Sequence, residues 1–245
     1  KSNLRLSASQ TVICPKSTDI LGWVWSNGTL SASPHVITTL STCSQPKTVK
    51  QLRSFIGAYK VLSRVIPKCS NALATLDNMV AGSSSSDELV WSDEKIQSFE
   101  SAKSLLSSNK IIHLPRPEDQ LWIVGDAAVR DPGISATLYV QRPESKKMLI
   151  GGFFSAKLKK NQLDWQPCER EALCLSSATK HYQPYITQSI HHPCILTDND
   201  PCVKAYEKLC RGDFSASPRL STYLTVVSQF QASVRHIASI DNALS

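Results

Sequence analysis

Apolar residues along the chain follow two spacings, short continuous runs that suit strands and i, i+3, i+4 recurrences that suit helices, with turn-forming clusters between them. Thr11-Val12-Ile13-Cys14 and Ile20-Leu21-Gly22-Trp23-Val24-Trp25 read as strands. Ser26-Asn27-Gly28-Thr29 predicts a hairpin turn, because Asn-Gly accepts the positive φ angles a tight turn demands. Pro34 is expected to close this β unit. Thr48 predicts a helix N-cap, followed by Val49, Leu52, Phe55, Ile56 and Tyr59 at helical spacing. The opposite face of that helix holds Lys50, Arg53 and Lys60, and Pro67 ends the segment. Leu73, Leu76 and Met79 predict another helix, and the run from Gly82 to Ser86 a surface loop. Trp91-Ser92-Asp93-Glu94 starts the next, with Ser92 as N-cap, acids in the first turn and Phe99, Ala102, Leu105 and Leu106 as its buried stripe. Leu114-Pro115-Arg116-Pro117 breaks the chain, and a domain boundary is placed there.

From Glu118 onward strands come first and helices later. Leu121–Gly125, Ile134–Gln141 and Met148–Phe154 predict three strands joined by short turns, one through Asp131-Pro132-Gly133 and one with Pro143, and hence an antiparallel meander. A helix from Pro167 to Tyr182, a strand Cys194–Thr197, helices Pro201–Cys210 and Pro218–Phe230 and a strand Ser233–Ile237 follow. Strands that alternate with helices can pair in parallel. Each of the three helices opens with proline, where a missing N–H costs nothing.

Composition excludes several classes. With 41% hydrophobic and 19% charged residues, the 245-residue chain can bury one large core or two modest ones. No window approaches the roughly 18 to 20 apolar residues of a membrane span, and the first residues lack the apolar core of a signal peptide, so an intracellular protein without a membrane partner is expected. Eight cysteines are scattered without a CxxC pair, which favours buried free thiols over disulfides or a zinc site. Charge is uneven: Lys1 to Ser70 holds nine basic residues against the single acid Asp19, a net of +8 in a chain whose total is +7. A basic module joined to one bearing acids fits a phosphate-rich partner, with a merely solvated basic face as the alternative.

The acids that matter are Asp126, where the apolar run Leu121–Val124 gives way, Glu171 in the first turn of a helix, and Asp198 after the run Cys194–Leu196. Carboxylates delivered by two strand ends and a helix start can converge, and converging carboxylates call for hard cations such as Mg²⁺. Such a set also repels itself, so at least one raised carboxylate pKa is expected. Two Mg²⁺ ions, or Mn²⁺ in their place, would activate a water and compensate the leaving oxygen of a phosphodiester. Arg211-Gly212-Asp213 is read as coincidence, and His236 either serves this site or ends a strand.

With these residues in view, the sequence resembles the polymerase polyproteins of Ty3/gypsy-like long-terminal-repeat retrotransposons. Asn3-Leu4-Arg5-Leu6-Ser7 followed by Ile20-Leu21-Gly22-Trp23-Val24 is similar to the end of a reverse transcriptase palm. Pro46-Lys47-Thr48-Val49-Lys50-Gln51-Leu52-Arg53-Ser54-Phe55-Ile56-Gly57 resembles the thumb motif PKTVKELRSFLG, and Arg64-Val65-Ile66-Pro67 the RRFIP that follows it. Trp91-Ser92-Asp93-Glu94 resembles the WTEE element of the connection. The ribonuclease H motifs TDAS, EKELLA and TDHKPL are matched by Gly125-Asp126-Ala127-Ala128, Glu169-Arg170-Glu171-Ala172-Leu173 and Thr197-Asp198-Asn199-Asp200-Pro201. The first match departs from the family at Gly125, where the family has threonine. A last motif, NVVADALS, resembles the stretch from His236 to Ser245, which puts the family's fourth aspartate one position past Ser245 and leaves Asp241 a weak substitute. The polymerase motif YxDD is absent from the sequence.

The resemblance implies an α/β (mixed α+β) fold: a ribonuclease H-like mixed sheet flanked by helices, preceded by a mainly helical thumb and connection segment with a β-hairpin. The divisions expected are 1–69 for the palm hairpin and thumb, 70–117 for the connection and 118–245 for the C-terminally truncated ribonuclease H-like domain. It implies metal-dependent cleavage of the RNA strand of RNA:DNA hybrids, with Asp126, Glu171 and Asp198 as catalytic metal ligands, and hybrid recognition by shape and 2′-OH. Lys47, Lys50, Arg53, Lys60 and Trp23 would contact nucleic acid, although Trp23 and Trp25 suit a core equally well. The upstream fingers and palm of the same polyprotein are expected partners, and the cytoplasm or a virus-like particle the location. A different reading is a decayed or domesticated element that keeps the fold as a nucleic-acid-binding scaffold and has lost the chemistry.

Overall fold

The computed structural model describes residues 7, 9, 11–128, 133–213 and 217–238. The palm-like motif at Asn3–Leu6, the turn at Asp131-Pro132 and the final motif from Ser239 lie outside the described residues. Leu21 and Gly22, with φ of 52° and 82°, fold back what sequence spacing reads as one strand. Two strands result, β1 (Ser17–Ile20) and β2 (Trp23–Ser26), paired antiparallel. The expected strand Ile20–Trp25 is thus corrected to a hairpin. An apolar run does not by itself exclude a Leu-Gly turn, and here the turn presents Leu21 to solvent at 93% exposure. Thr11–Cys14 forms no strand and is exposed. The Asn27-Gly28 turn is as expected, with φ of 48° and 77°, and joins β2 to β3 (Thr29–Ala32).

Pro34 opens a helix where spacing predicted the end of a β unit. It occupies the first turn of α1 (Pro34–Thr42), where a residue without N–H is tolerated. The β-branched Val36, Ile37, Thr38 and Thr39 disguise that helix in the sequence. Next come α2 (Val49–Val61), α3 (Cys69–Val80) and α4 (Asp93–Leu105), then β4 (Ile112–His113), a short strand missed by spacing that pairs with β3. Thr48 and Gln51 cap α2 reciprocally, the Thr48 hydroxyl accepting from Gln51 N–H at 3.4 Å and the Gln51 side chain from Thr48 N–H at 3.3 Å. Leu52, Phe55, Ile56 and Tyr59 on α2 pack with Leu73, Leu76, Phe99, Leu106 and Ile112 in one buried cluster. Inside it the Tyr59 hydroxyl donates to the Ala102 carbonyl at 2.9 Å.

The second sheet has the order β7-β6-β5-β8-β9. Strands β5 (Gln120–Ala127), β6 (Gly133–Gln141) and β7 (Met148–Lys157) form the predicted antiparallel meander. β8 (Cys194–Thr197) runs parallel to β5, and β9 (Ser233–His236) parallel to β8. The helices α5 (Pro167–Ile186), α6 (Asp200–Cys210) and α7 (Pro218–Ser228) each carry proline in the first turn. They bury Leu175, Ala178, Tyr182, Val203 and Leu224 against Leu121, Ile123, Ala136 and Leu138 of the sheet.

Period-two alternation sorts the sheet's faces at its far end. Gly125, Ala136 and Phe154 are register partners, and Ala136 and Phe154 belong to the core beneath α5. Asp126, Ser135 and Ser155, one residue along, must face the other way. That second face meets the start of α3: the Ser155 hydroxyl accepts from the Ser70 N–H at 2.9 Å and donates to the Ser70 hydroxyl at 3.0 Å. The segment before residue 118 therefore packs on the sheet face that carries Asp126.

The chain enters β5 through a buried ion pair. Asp119 is fully buried; its Oδ2 takes the Arg142 guanidinium and the N–H of Arg116 at 2.6 Å, and Arg142 also reaches the Leu114 carbonyl at 3.3 Å. Losing one partner of a buried pair strands the other charge. Arg142→Met is expected to cost about 3–5 kcal/mol, and the double variant with Asp119→Leu clearly less, in urea unfolding followed by circular dichroism.

Candidate functional site

Glu171 sits in the second turn of α5, which opens at Pro167 behind a reciprocal cap between Gln166 and Glu169. The helix lies close to β5 because residue 125 is glycine: a Cβ there would stand 2.8 Å from the Leu175 side chain and 3.9 Å from Glu171 Oε1. Glu171 is only 3% exposed. Its Oε1 accepts the Thr197 hydroxyl at 2.6 Å and its Oε2 the Ala127 N–H at 3.1 Å. Thr197 precedes Asp198 and Ala127 follows Asp126, so one carboxylate bridges the C-terminal ends of two adjacent parallel strands. Such strand ends are where open α/β sheets bind ligands.

Continuing the β5–β8 register beyond Val124 and Leu196 sets Asp126 beside Asp198. All three predicted acids therefore belong to one corner, with Glu171 coming from the helix face of the sheet and Asp126 from the opposite face. Their electrostatics agree. Burial pushes Glu171 up to about 7, and Asp198 and Asp126 push the same way against the Thr197 and Ala127 hydrogen bonds. Burial also raises Asp126; Lys68 opposes that shift and Asp198 adds to it. The expected rise is present, but desolvation is its main source and mutual repulsion a lesser one. Among the described residues, no group of three or more His, Cys, Asp or Glu is close enough to hold a metal ion as it stands.

Neighbours of the corner have structural duties. Glu169 accepts from Ser217 at 2.7 Å and from Arg219 at 2.9 Å, which ties α5 to α7. Burial raises its pKa, but these bonds outweigh that and leave it lowered. The exposed His236 ends β9, as expected of a strand terminus, yet its Nε2 also lies 3.2 Å from the Asp198 carbonyl oxygen. All eight cysteines are free thiols.

The predicted nucleic-acid residues all belong to the segment before residue 118. Lys47 and Lys50 line a groove of about 780 Å³ between α1 and α2. Arg53 donates to the carbonyls of Val80 and Ser83 at 3.1 and 2.7 Å and so holds a loop, and Lys60 pairs with Asp77 at 2.8 Å. Trp23 is half-buried against the first core, whereas Trp25 stays 37% exposed. Sequence reasoning counted Lys68 among the basic residues without singling it out. Only its place one residue before α3, on the Asp126 face, brings it near the acids.

Two predictions follow from this geometry. Burial holds the Glu171 carboxyl up to about 7 in the folded chain, above its ordinary value of 4.5. Its contribution to stability is then fully present below about pH 4.5 and lost as pH rises through about 7, on the order of 3 kcal/mol. Urea midpoints measured between about pH 4 and 8 without divalent ions should fall for the native chain and stay nearly level for Glu171→Gln; parallel profiles would refute the assignment. Gly125→Thr, which restores the family residue, should cost about 1–3 kcal/mol of stability, because Leu175 must leave its packed position.

Comparison with known proteins agrees with this architecture. Residues 91–193 match the family model described as the RNase H-like domain found in reverse transcriptase. The Transposon Tf2-3 and Tf2-4 polyproteins of Schizosaccharomyces pombe are each 29% identical over 155 residues, covering 63% of this chain and 11% of theirs. The chain thus spans 11% of the length of these curated relatives. The foamy viral protease-reverse transcriptase in complex with RNA/DNA hybrid superposes with a TM-score of 0.74 at 13% identity, over 94% of this chain and 30% of that one. Its dRH form in complex with ds DNA gives 0.74 at 14% identity, over 90% and 38%. These two likenesses are of fold. Among the described residues no helix is long and apolar enough to cross a membrane. Over residues 91–193 the chain is thus similar to the RNase H-like domain found in reverse transcriptase, and over 155 residues it is similar to the Tf2 transposon polyproteins.

Proposed function

We propose that the acid corner hydrolyses the RNA strand of RNA:DNA hybrids, as part of a retrotransposon reverse transcriptase. The observation that carries this reading is the Glu171 carboxylate held between the N–H of Ala127 and the hydroxyl of Thr197, which gathers Asp126, Glu171 and Asp198 at adjacent strand ends. Carboxylate oxygens are hard donors that fit Mg²⁺, and a cation would relieve both the burial and the lesser mutual repulsion that raise Asp126 and Glu171. Two such ions, held by Asp126, Glu171 and Asp198, would supply an activated water and compensate the leaving oxygen. The chain's own part is orientation. Thr197 and Ala127 fix the Glu171 rotamer, and Gly125 lets α5 come near enough for it to reach the strands.

The foamy viral relative in fold is seen with RNA/DNA hybrid, and a hybrid is the partner proposed for this chain. Lys47 and Lys50, beside the groove at α2, would hold its backbone; Arg53, Lys60 and Trp23 would assist although each also serves the fold. The exposed Ile20, Leu21, Trp25 and Val61 form an apolar surface suited to the upstream fingers and palm of the same polyprotein. A second reading, a fold that binds nucleic acid without cutting it, is favoured by the lack of a ready three-ligand group among the described residues and by the engagement of both Glu171 oxygens within the chain.

A labelled RNA:DNA hybrid incubated with Mg²⁺ separates the two. Cleavage is expected from the chain, or from a longer form continuing past Ser245. Asp126→Asn, Glu171→Gln and Asp198→Asn should each lower it by more than about 100-fold, since even the outer partners of metal ligands cost 10–100-fold. Binding without cleavage by both forms would favour the scaffold.

A further inference from the structure

The acid corner has a basic side supplied by the preceding segment. Lys68 is exposed and sits at the N-cap of α3 in a left-handed conformation, φ 51° and ψ 33°. Its carbonyl accepts from Asn71 and Ala72, at 3.0 and 3.3 Å, which fixes the start of the helix. Two residues on, Ser70 is bonded to Ser155 through both its N–H and its hydroxyl. Asn71 Oδ1 lies 2.7 Å from where a Cβ on Gly133 would be, so the helix start presses on the end of β6 as well. Ser155 pairs with Ser135 and Ser135 with Asp126 in one row across the sheet. Docking of α3 on this row thus brings Lys68 to the face that carries Asp126. Lys68 and Asp126 thus share one face of the sheet, and no ion pair within 4.0 Å joins them.

A cation and a carboxylate that face each other without touching leave room for a group able to satisfy both. A phosphodiester beside a divalent ion is such a group: the ion sits on the carboxylate, and the ammonium donates to the non-bridging oxygens. We propose that Lys68 is a substrate-binding residue of the acid corner, contacting the hybrid's phosphate backbone where Asp126 faces it. Residues of the thumb-like and nuclease parts would then form one binding surface, and the docked α3 would set its width. The inference rests on the nuclease reading in taking a hybrid as the ligand and in placing a divalent ion on Asp126; the ammonium's own contact with phosphate needs no ion, so binding without divalent ions reads it.

The test is salt-dependent binding of a short RNA:DNA hybrid to the full chain in EDTA, where no cleavage intervenes. Lys68→Asn keeps a residue that tolerates the left-handed conformation and removes the charge, and Lys68→Arg keeps the charge. Lys68→Asn should reduce the magnitude of the log–log salt slope by about 0.9, a loss of about threefold in salt sensitivity between 50 and 200 mM. Lys68→Arg should retain the native slope. A purely structural role would leave the slope unchanged in both variants, and that result overturns the proposal, as does an equal change in both. A native chain that binds hybrid but does not cut it with Mg²⁺ refutes the nuclease reading alone, with the slope still deciding on Lys68. No hybrid binding by the native chain refutes both.

Discussion

A buried carboxylate governs how the second half of this chain is put together. Glu171 could not be taken out of water without partners, and it finds them on two strands far apart in sequence, β5 and β8. The same two bonds align the strand ends, seat the N-terminal half of α5 and bring Asp126 and Asp198 to one edge. Much of what surrounds this contact reads as its support. Gly125 yields the space, Glu169 anchors the helix to α7, and Cys174 and Leu175 fill the gap beneath β5. The cost of holding a carboxylate this way is visible in its raised pKa, and a cation at the corner would relieve it.

The other organising contact is between the halves. One core gathers residues from Ala32 to Ile112 and another closes the second sheet over α5 to α7. They meet where α3 docks on β7, where Lys157 Nζ donates to Asn78 Oδ1 at 2.6 Å, and where Arg64 donates to the Tyr185 hydroxyl at 3.2 Å. These contacts are polar, and Ile150 of β7 adds an apolar one by packing against the first core. Directed hydrogen bonds fix orientation across this junction more sharply than that apolar contact does.

The second sheet was legible in the sequence almost strand by strand, because Leu121–Val124 and Cys194–Leu196 are apolar runs beside glycine or proline and Ile134–Val140 is a mostly apolar stretch that starts after Gly133. The α2 helix was legible for a different reason: Thr48 and Gln51 are three residues apart before an apolar stripe. What sequence missed has physical causes. α1 is built from β-branched residues whose strand preference is overridden by a proline start and by the packing of Val36, Ile37 and Leu40 on the first core, with the hydroxyls of Thr39, Ser41 and Thr42 bonding back four residues at 2.7 to 2.8 Å. β4 is two residues long, too short for any period to register. The acids were found by their place at strand ends and a helix start and by their resemblance to ribonuclease H motifs. Which face each approaches from was not, since it depends on register between strands that no single stretch of sequence encodes.

The direction of the strands has a consequence of its own. β5, β8 and β9 all point the same way, so the peptide leaving each of them emerges at a single edge, while the turn joining β6 to β7 lies at the opposite end. Length and composition at that edge can drift without touching the packed layers, and drift at the opposite end leaves the acids alone. Loops at that edge could thus change what meets the acids while the packed scaffold stays under separate selection.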